Sequence, residues 1–93
     1  MPAKFRCGRL VATPAAIDAA EKAGQDFLPF LSRHFRGDWG DVCAEDAKMN
    51  DDALKPGSEE RLLSVYTLNS GEKIWIITEW DRSATTILLP SDY

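Results

Sequence analysis

The side chains of this chain that could do chemistry are two cysteines, Cys7 and Cys43, a single histidine, His34, six scattered serines and a run of carboxylates. Cysteine-nucleophile chemistry would need Cys7 or Cys43 activated by His34, with an acid to orient the imidazole. The plainer reading is structural: both cysteines stand where small apolar core residues are wanted, and His34 falls on the apolar side of its helix. Neither cysteine belongs to a C-x-x-C or Cys/His cluster of the kind that holds zinc or iron–sulfur groups. A single disulfide is not required in a chain with this much apolar material. Ser32, Ser64, Ser70, Ser83 and Ser91 lack the G-x-S-x-G elbow of a serine hydrolase.

The carboxylates are more concentrated. Asp38, Asp41, Glu45 and Asp46 fall within nine positions, and oxygen-rich clusters suit magnesium, calcium or manganese. Their spacing matches no EF-hand loop. The same residues are what a helix start asks for, capping free N–H groups and meeting the positive end of the dipole. A third reading is an acidic protein-binding surface that continues to Asp52. Trp39, between two aspartates, either pins its loop to the core or serves as a rigid amphipathic anchor for a partner. Trp75 and Trp80 lie on opposite faces of one predicted strand, which leaves at least one of them near the margin. Glu79, Asp81 and Arg82 then make a local ion pair or a polar rim beside Trp80. The candidate interaction surface is therefore Asp38, Trp39, Asp41, Glu45, Asp46, Asp52, Trp80 and Arg82, and no catalytic, cofactor or metal residue is assigned.

Residues 4–12 predict an imperfect strand, with Phe5 and Cys7 on one face before Gly8 disturbs the alternation. Thr13-Pro14 is a helix start: the hydroxyl can cap N–H groups, and proline loses no intrahelical bond at the first position. The helix runs from Ala15 to Ala23 with Ala16, Ile17, Ala20 and Ala23 as its inner stripe, and Gly24 ends it. A second helix is expected from Asp26 to Arg36, with Phe27, Leu28, Leu31, His34 and Phe35 on one side. A third fits Val42 to Leu54, with Val42, Cys43, Ala47, Met49, Ala53 and Leu54 inward. Its outer face is acidic, relieved by Lys48 with Asp52 and Asp51 with Lys55 at about 0.2–0.5 kcal/mol each.

After Pro56-Gly57-Ser58 the period changes to two. Strands are predicted at Leu62–Leu68, Lys73–Trp80 and Ala84–Leu89, with Asn69-Ser70-Gly71 and Asp81-Arg82-Ser83 as turns. Ile74 and Ile76 face one way and Trp75 and Ile77 the other, which suits a central strand with helices over one face and partial cover on the other. The expected fold is α+β: an N-terminal strand, two to three helices, then a three-stranded antiparallel meander packed against the helices, as one domain over residues 1–93. That order loosely matches the RelE/ParE-type toxins. Those proteins are generally basic, and no Arg/Lys/Tyr constellation for a cleaved phosphate stands out here.

The segments Gly37–Cys43, Glu45-Asp46, Arg61–Tyr66 and Ile74–Pro90 resemble a family of small proteins carried on bacterial plasmids and integrated mobile elements, often labelled "type I restriction endonuclease subunit M". The similarity spans about Leu10 to Tyr93. The resemblance implies a mobile-element setting in a bacterial cytoplasm and brings no catalytic residues with it. The methyltransferase label itself is excluded, because neither a glycine-rich cofactor loop nor an Asn-Pro-Pro-Tyr-type motif is present.

Charge completes the expectation. Residues 38–60 hold eight acids against Lys48 and Lys55, a net of −6, while the other 70 residues carry +2. No basic stripe for phosphates or anionic lipid appears, so nucleic-acid binding and electrostatic membrane attachment are disfavoured. No apolar run approaches the roughly 18 residues a membrane span needs, and Gly8 and Arg9 interrupt any leader-like segment, so a cytoplasmic location is the default. The functional expectation is a non-enzymatic interaction or accessory module that meets another protein through an acidic helix surface, with a homodimer left open. The alternative is a small RelE/ParE-like toxin or metal-assisted hydrolase.

Overall fold

Alternating apolar side chains in the last third of the chain build the sheet on which the helices rest. The computed structural model describes residues 3–93; Met1 and Pro2, where the leader reading begins, lie outside the described residues. Its elements are β1 (Arg9–Ala12), α1 (Pro14–Ala23), α2 (Leu28–Phe35), α3 (Ala44–Ala53), β2 (Leu62–Thr67), β3 (Lys73–Thr78) and β4 (Ala84–Leu88), followed by a 3₁₀ turn at Pro90–Asp92. The fold is α+β, as expected. Strands β2, β3 and β4 form the antiparallel meander, and β1 joins it in parallel beside β4, giving a mixed sheet ordered β1-β4-β3-β2.

Register places Leu62, Ser64 and Tyr66 on one face with Ile74, Ile76, Thr78, Thr85 and Ile87, and all of them are buried. Against this face pack Ala16 and Ala19 of α1 and Phe30 and Leu31 of α2. A second cluster joins Trp39 and Ala53 to Leu62. Each large aliphatic side chain removed from water here contributes roughly 1.5–3 kcal/mol. The opposite face is half covered: Trp75 is partly buried under Tyr93, whose ring lies 5.5 Å away.

Several helix details differ from expectation. Thr13 does cap α1, its Oγ1 accepting from Ala16 N–H at 3.1 Å, and Gly24 closes the helix at φ 67°. The inner stripe is Ala16, Ala19 and Ala20, with Ile17 exposed, because a residue one step along a helix turns about 100° away from its neighbour. Phe30, two positions and about 200° further round, takes the inward place expected for Leu28, which is exposed. In α3 the inward residues are Asn50 and Ala53, whereas Met49 and Cys43 are exposed. The N-terminal strand is only four residues long. Residues 4–8 instead cross the end of the core, Lys4 N–H donating to the Phe35 carbonyl and Phe5 packing on His34. Trp80 lies beyond β3 in the turn to β4, since Glu79 N–H closes onto the Ala84 carbonyl.

An edge strand must satisfy backbone groups that point away from its neighbour. In β2 those groups belong to Leu63, Val65 and, at the strand's end, Thr67. The Asn50 amide takes both groups of Leu63, donating to its carbonyl at 2.7 Å and accepting from its N–H at 3.0 Å. Val65 N–H donates to the Trp39 carbonyl at 3.0 Å, and the Val65 carbonyl accepts from Asp41 N–H at 2.7 Å. The Trp39–Asp41 segment thus runs beside β2 as a miniature parallel strand. Only glycine fits its centre: Gly40 has φ 73°, and a Cβ there would lie 2.0 Å from the Val65 carbonyl oxygen.

Asn50→Ala removes both side-chain partners of Leu63 and should lower stability by about 1–3 kcal/mol in urea unfolding. A change below about 0.5 kcal/mol would show that water replaces the amide without loss.

Candidate functional site

The most chemically suggestive constellation is buried. His34 Nδ1 lies 2.5 Å from Ser64 Oγ, and His34 Nε2 lies 2.9 Å from Thr78 Oγ1. Thr78 Oγ1 lies 2.8 Å from Thr85 Oγ1, which donates to the Cys7 carbonyl at 2.7 Å. Each hydroxyl has one proton, so the chain of donors has a fixed direction. Thr85 spends its proton on Cys7 and must accept from Thr78. Thr78, having donated, must accept from Nε2–H of His34. The remaining nitrogen, Nδ1, then accepts from Ser64. The network therefore fixes the neutral Nε2–H tautomer.

A serine hydroxyl on an imidazole resembles the activating pair of a hydrolase. Here both partners are fully buried, and α2, β2, β3 and the rings of Phe5, Phe35 and Trp39 surround the imidazole at 5.2–5.7 Å between centroids. No substrate carbonyl can reach Ser64 in this state. Burial pushes the His34 pKa from 6.5 down to about 3, so the ring stays neutral across the ordinary pH range. Cysteine activation finds no support in the geometry either. Both ring nitrogens are taken by hydroxyls, Cys7 is half-buried, and Cys43 is exposed at the start of α3 instead of in the core.

The predicted surface residues separate into different roles. Trp39 is buried, 5% exposed, and its Nε1–H donates to Asp51 at 3.0 Å, so it pins the loop to α3 and does not reach outward. With Asp51 engaged there, Lys55 pairs with Asp52 at 3.0 Å, and Lys48 reaches the same carboxylate at 3.4 Å. Arg82 is also committed inward: its guanidinium donates to the carbonyls of Ala53, Glu60, Glu79 and Trp80 at 2.8–3.2 Å. That cage holds Arg82 at φ 60°, a backbone region few non-glycine residues adopt. Asp38 is clamped by Arg33 at 2.8 Å, which holds its carboxyl below the usual range.

Asp41, Glu45, Asp46 and Trp80 remain exposed. Asp41 accepts from the Thr67 hydroxyl at 2.7 Å. Among the described residues Glu45 and Asp46 form no ion pair within 4 Å. The set is not one patch: seven helical steps, about 10 Å, separate Asp46 from Ala53, where Arg82 and the Trp80 turn attach. Nor do the acids converge on one point. Asp38 faces Arg33, Asp41 faces Thr67, and no group of three potential ligands gathers among the described residues.

Concavities are modest. A cleft of about 100 Å³ between α3 and β2, lined by Asp46, Met49, Glu60 and Arg61 among others, is well below the roughly 300–1,000 Å³ of small-molecule sites. A shallow trough of about 420 Å³ beside α1 carries Glu21 and Asp26 but no serine, threonine, cysteine or histidine. No helix among the described residues is long and apolar enough to cross a membrane. The chain matches no family model, no curated protein and no solved structure in comparisons with known proteins.

The histidine gives a pH signature. The unfolded state takes up a proton near pH 6.5 and the folded state only near 3, so the unfolded state binds more protons between them and stability falls as pH falls. The slope should approach about 1.4 kcal/mol per pH unit below pH 6. The stabilised carboxylates Asp38 and Asp52 lose their contributions only on further acidification, as pH falls below the ordinary value of 3.8. Urea unfolding from pH 6 to 4.5 therefore isolates His34. A flat stability profile in that window, or one unchanged in His34→Gln, would contradict the assignment.

Proposed function

We propose that the protein is a non-enzymatic interaction module that meets a basic surface of another protein through the acidic start of α3. The carrying observation is that Glu45 and Asp46 stand exposed in the first turn of that helix without ion pairs among the described residues, beside exposed Asp41. Carboxylates left unneutralised at a surface raise the local potential and speed encounter with a basic partner. The burial of His34 and Ser64 and the inward engagement of Arg82 support a binding role over a catalytic one. The family resemblance along Leu10–Tyr93 suggests an accessory role in a bacterial mobile element, within the cytoplasm.

Affinity capture at about 0.15 M salt, comparing wild type with an Asp41→Asn/Glu45→Gln/Asp46→Asn variant, tests this reading. These substitutions keep side-chain size, and the amide oxygen introduced at position 41 can still accept from Thr67. Partners should be lost in the variant while Trp80→Ala retains them. Identical partner lists for wild type and the neutralised variant would overturn the proposal.

A further inference from the structure

The two edges of the sheet end differently. The β2 edge is covered along its first four residues by Asn50 and by residues 39–41, whereas β1, the other outermost strand, meets only β4. Arg9 N–H donates to the Ser83 carbonyl and Thr13 N–H to the Ile87 carbonyl, so these groups face β4. Alternation then turns the N–H and C=O of Leu10 and Ala12 outward, where no partner meets them among the described residues. Leu10 and Val11 beside them are 49% and 37% exposed.

This edge is complementary to itself in one register. In an antiparallel pair, outward residues must oppose outward residues to exchange hydrogen bonds. Setting Leu10 opposite Ala12 of a second copy satisfies every outward N–H and C=O of both strands. A shift one way opposes Leu10 to Pro14, which has no N–H, and a shift the other way calls on Gly8, which has left the strand at φ 65°. The surviving register puts the two-fold axis at Val11, whose side chain meets its own copy. It also sets Arg9 opposite Thr13 of the other copy, on the same face as Val11, with Cα atoms about 4.5 Å apart.

Charge favours this same register. Arg9 is the one charged residue of β1, and among the described residues it forms no ion pair within 4 Å. Asp81, in the turn before β4, accepts from Ser83 N–H. The Thr13 hydroxyl donates to Asp92 at 2.7 Å, so the position opposite Arg9 already holds a carboxylate. Asp92 is exposed, and its bonds from Thr13 and from Leu89 N–H both fall on Oδ2, leaving Oδ1 for a guanidinium. The acidic α3 lies against β2 at the other edge, three strand spacings or about 14 Å away, so this pairing does not bring the acids of two copies together.

We propose that β1 is a self-association edge: two copies pair β1 against β1, antiparallel about an axis at Val11, and their sheets become one. Main-chain hydrogen bonds at Leu10 and Ala12 and reciprocal Arg9–Asp92 ion pairs hold the contact. Two four-residue strands bury little surface, so the dimer is a weak one that fills as protein concentration rises. This contact is separate from the α3 surface and stands or falls without it.

Sedimentation and residue-resolved amide exchange, run from micromolar to millimolar protein, test it. The wild type should move toward the dimer mass, and exchange at Leu10 and Ala12 should slow by about threefold or more as it does. Arg9→Glu and Asp92→Lys should each stay monomeric, because each sets like charges across the axis. An equimolar mixture of the two variants should dimerise again, since opposite charges then face each other at both positions. Protection of the β3 amides reports that each variant is folded. The proposal is overturned if the wild type stays monomeric at millimolar concentration, or if it dimerises without slowing at Leu10 and Ala12. It is also overturned if the mixture of folded variants associates no better than its parts, or if these amides slow only when a different protein is added.

Discussion

The outward backbone groups of β2 are the constraint on which the arrangement of the chain's middle depends. A six-residue edge strand with free N–H and C=O groups would be open to pairing with other chains. The fold closes its first four residues with one buried amide and one short loop. Asn50 can reach Leu63 only if α3 lies along β2, and Trp39–Asp41 can pair with Val65 only if Gly40 lets the backbones approach. Trp39 then ties the two devices together, because its indole donates to Asp51 on the same helix. The position of the acidic helix is therefore a consequence of closing the sheet.

Inside the sheet a second polar arrangement fixes the other end of the core. Four side chains, His34, Ser64, Thr78 and Thr85, satisfy one another and end on the Cys7 carbonyl, which anchors the N-terminal segment over the sheet. No buried side-chain polar atom among the described residues is left without a partner. An apolar core of the same shape would avoid the cost of desolvating four polar side chains, but it would not specify where residues 4–8 must lie. The directional chain of protons supplies that specificity.

Much of the architecture was legible in the sequence, and the failures share a cause. Turn glycines, Thr13-Pro14 and the two-residue period after Arg61 signal elements through local backbone preference, which acts wherever the residues fold. Inward faces were less secure in short helices, where an error of one position turns a residue by about 100°, as for Met49 against Asn50, and one of two positions by about 200°, as for Leu28 against Phe30. Polarity alone did not decide two key residues. Asn50 gives no inward signal until a strand edge needs its amide, and Trp39 between two aspartates reads as either loop anchor or partner anchor until Asp51 accepts its N–H. The buried hydroxyls did leave a signal: Ser64 sits between Leu62 and Tyr66 at the inward period of β2, and Thr78 continues Ile74 and Ile76.

Charge is distributed by the same logic of edges. The acids between Asp38 and Glu60 are not interchangeable, because those that build the fold are already engaged: Asp38 with Arg33, Asp51 with Trp39, Asp52 with two lysines. The net of −6 in this segment thus overstates the field available to a partner, which comes mainly from Asp41, Glu45, Asp46 and the Glu59-Glu60 pair. On the far side of the sheet the outermost strand β1 carries a single charged side chain, Arg9. What a mildly acidic chain offers a partner is therefore a few carboxylates, Asp46 and Glu60 among them, grouped where α3 meets β2.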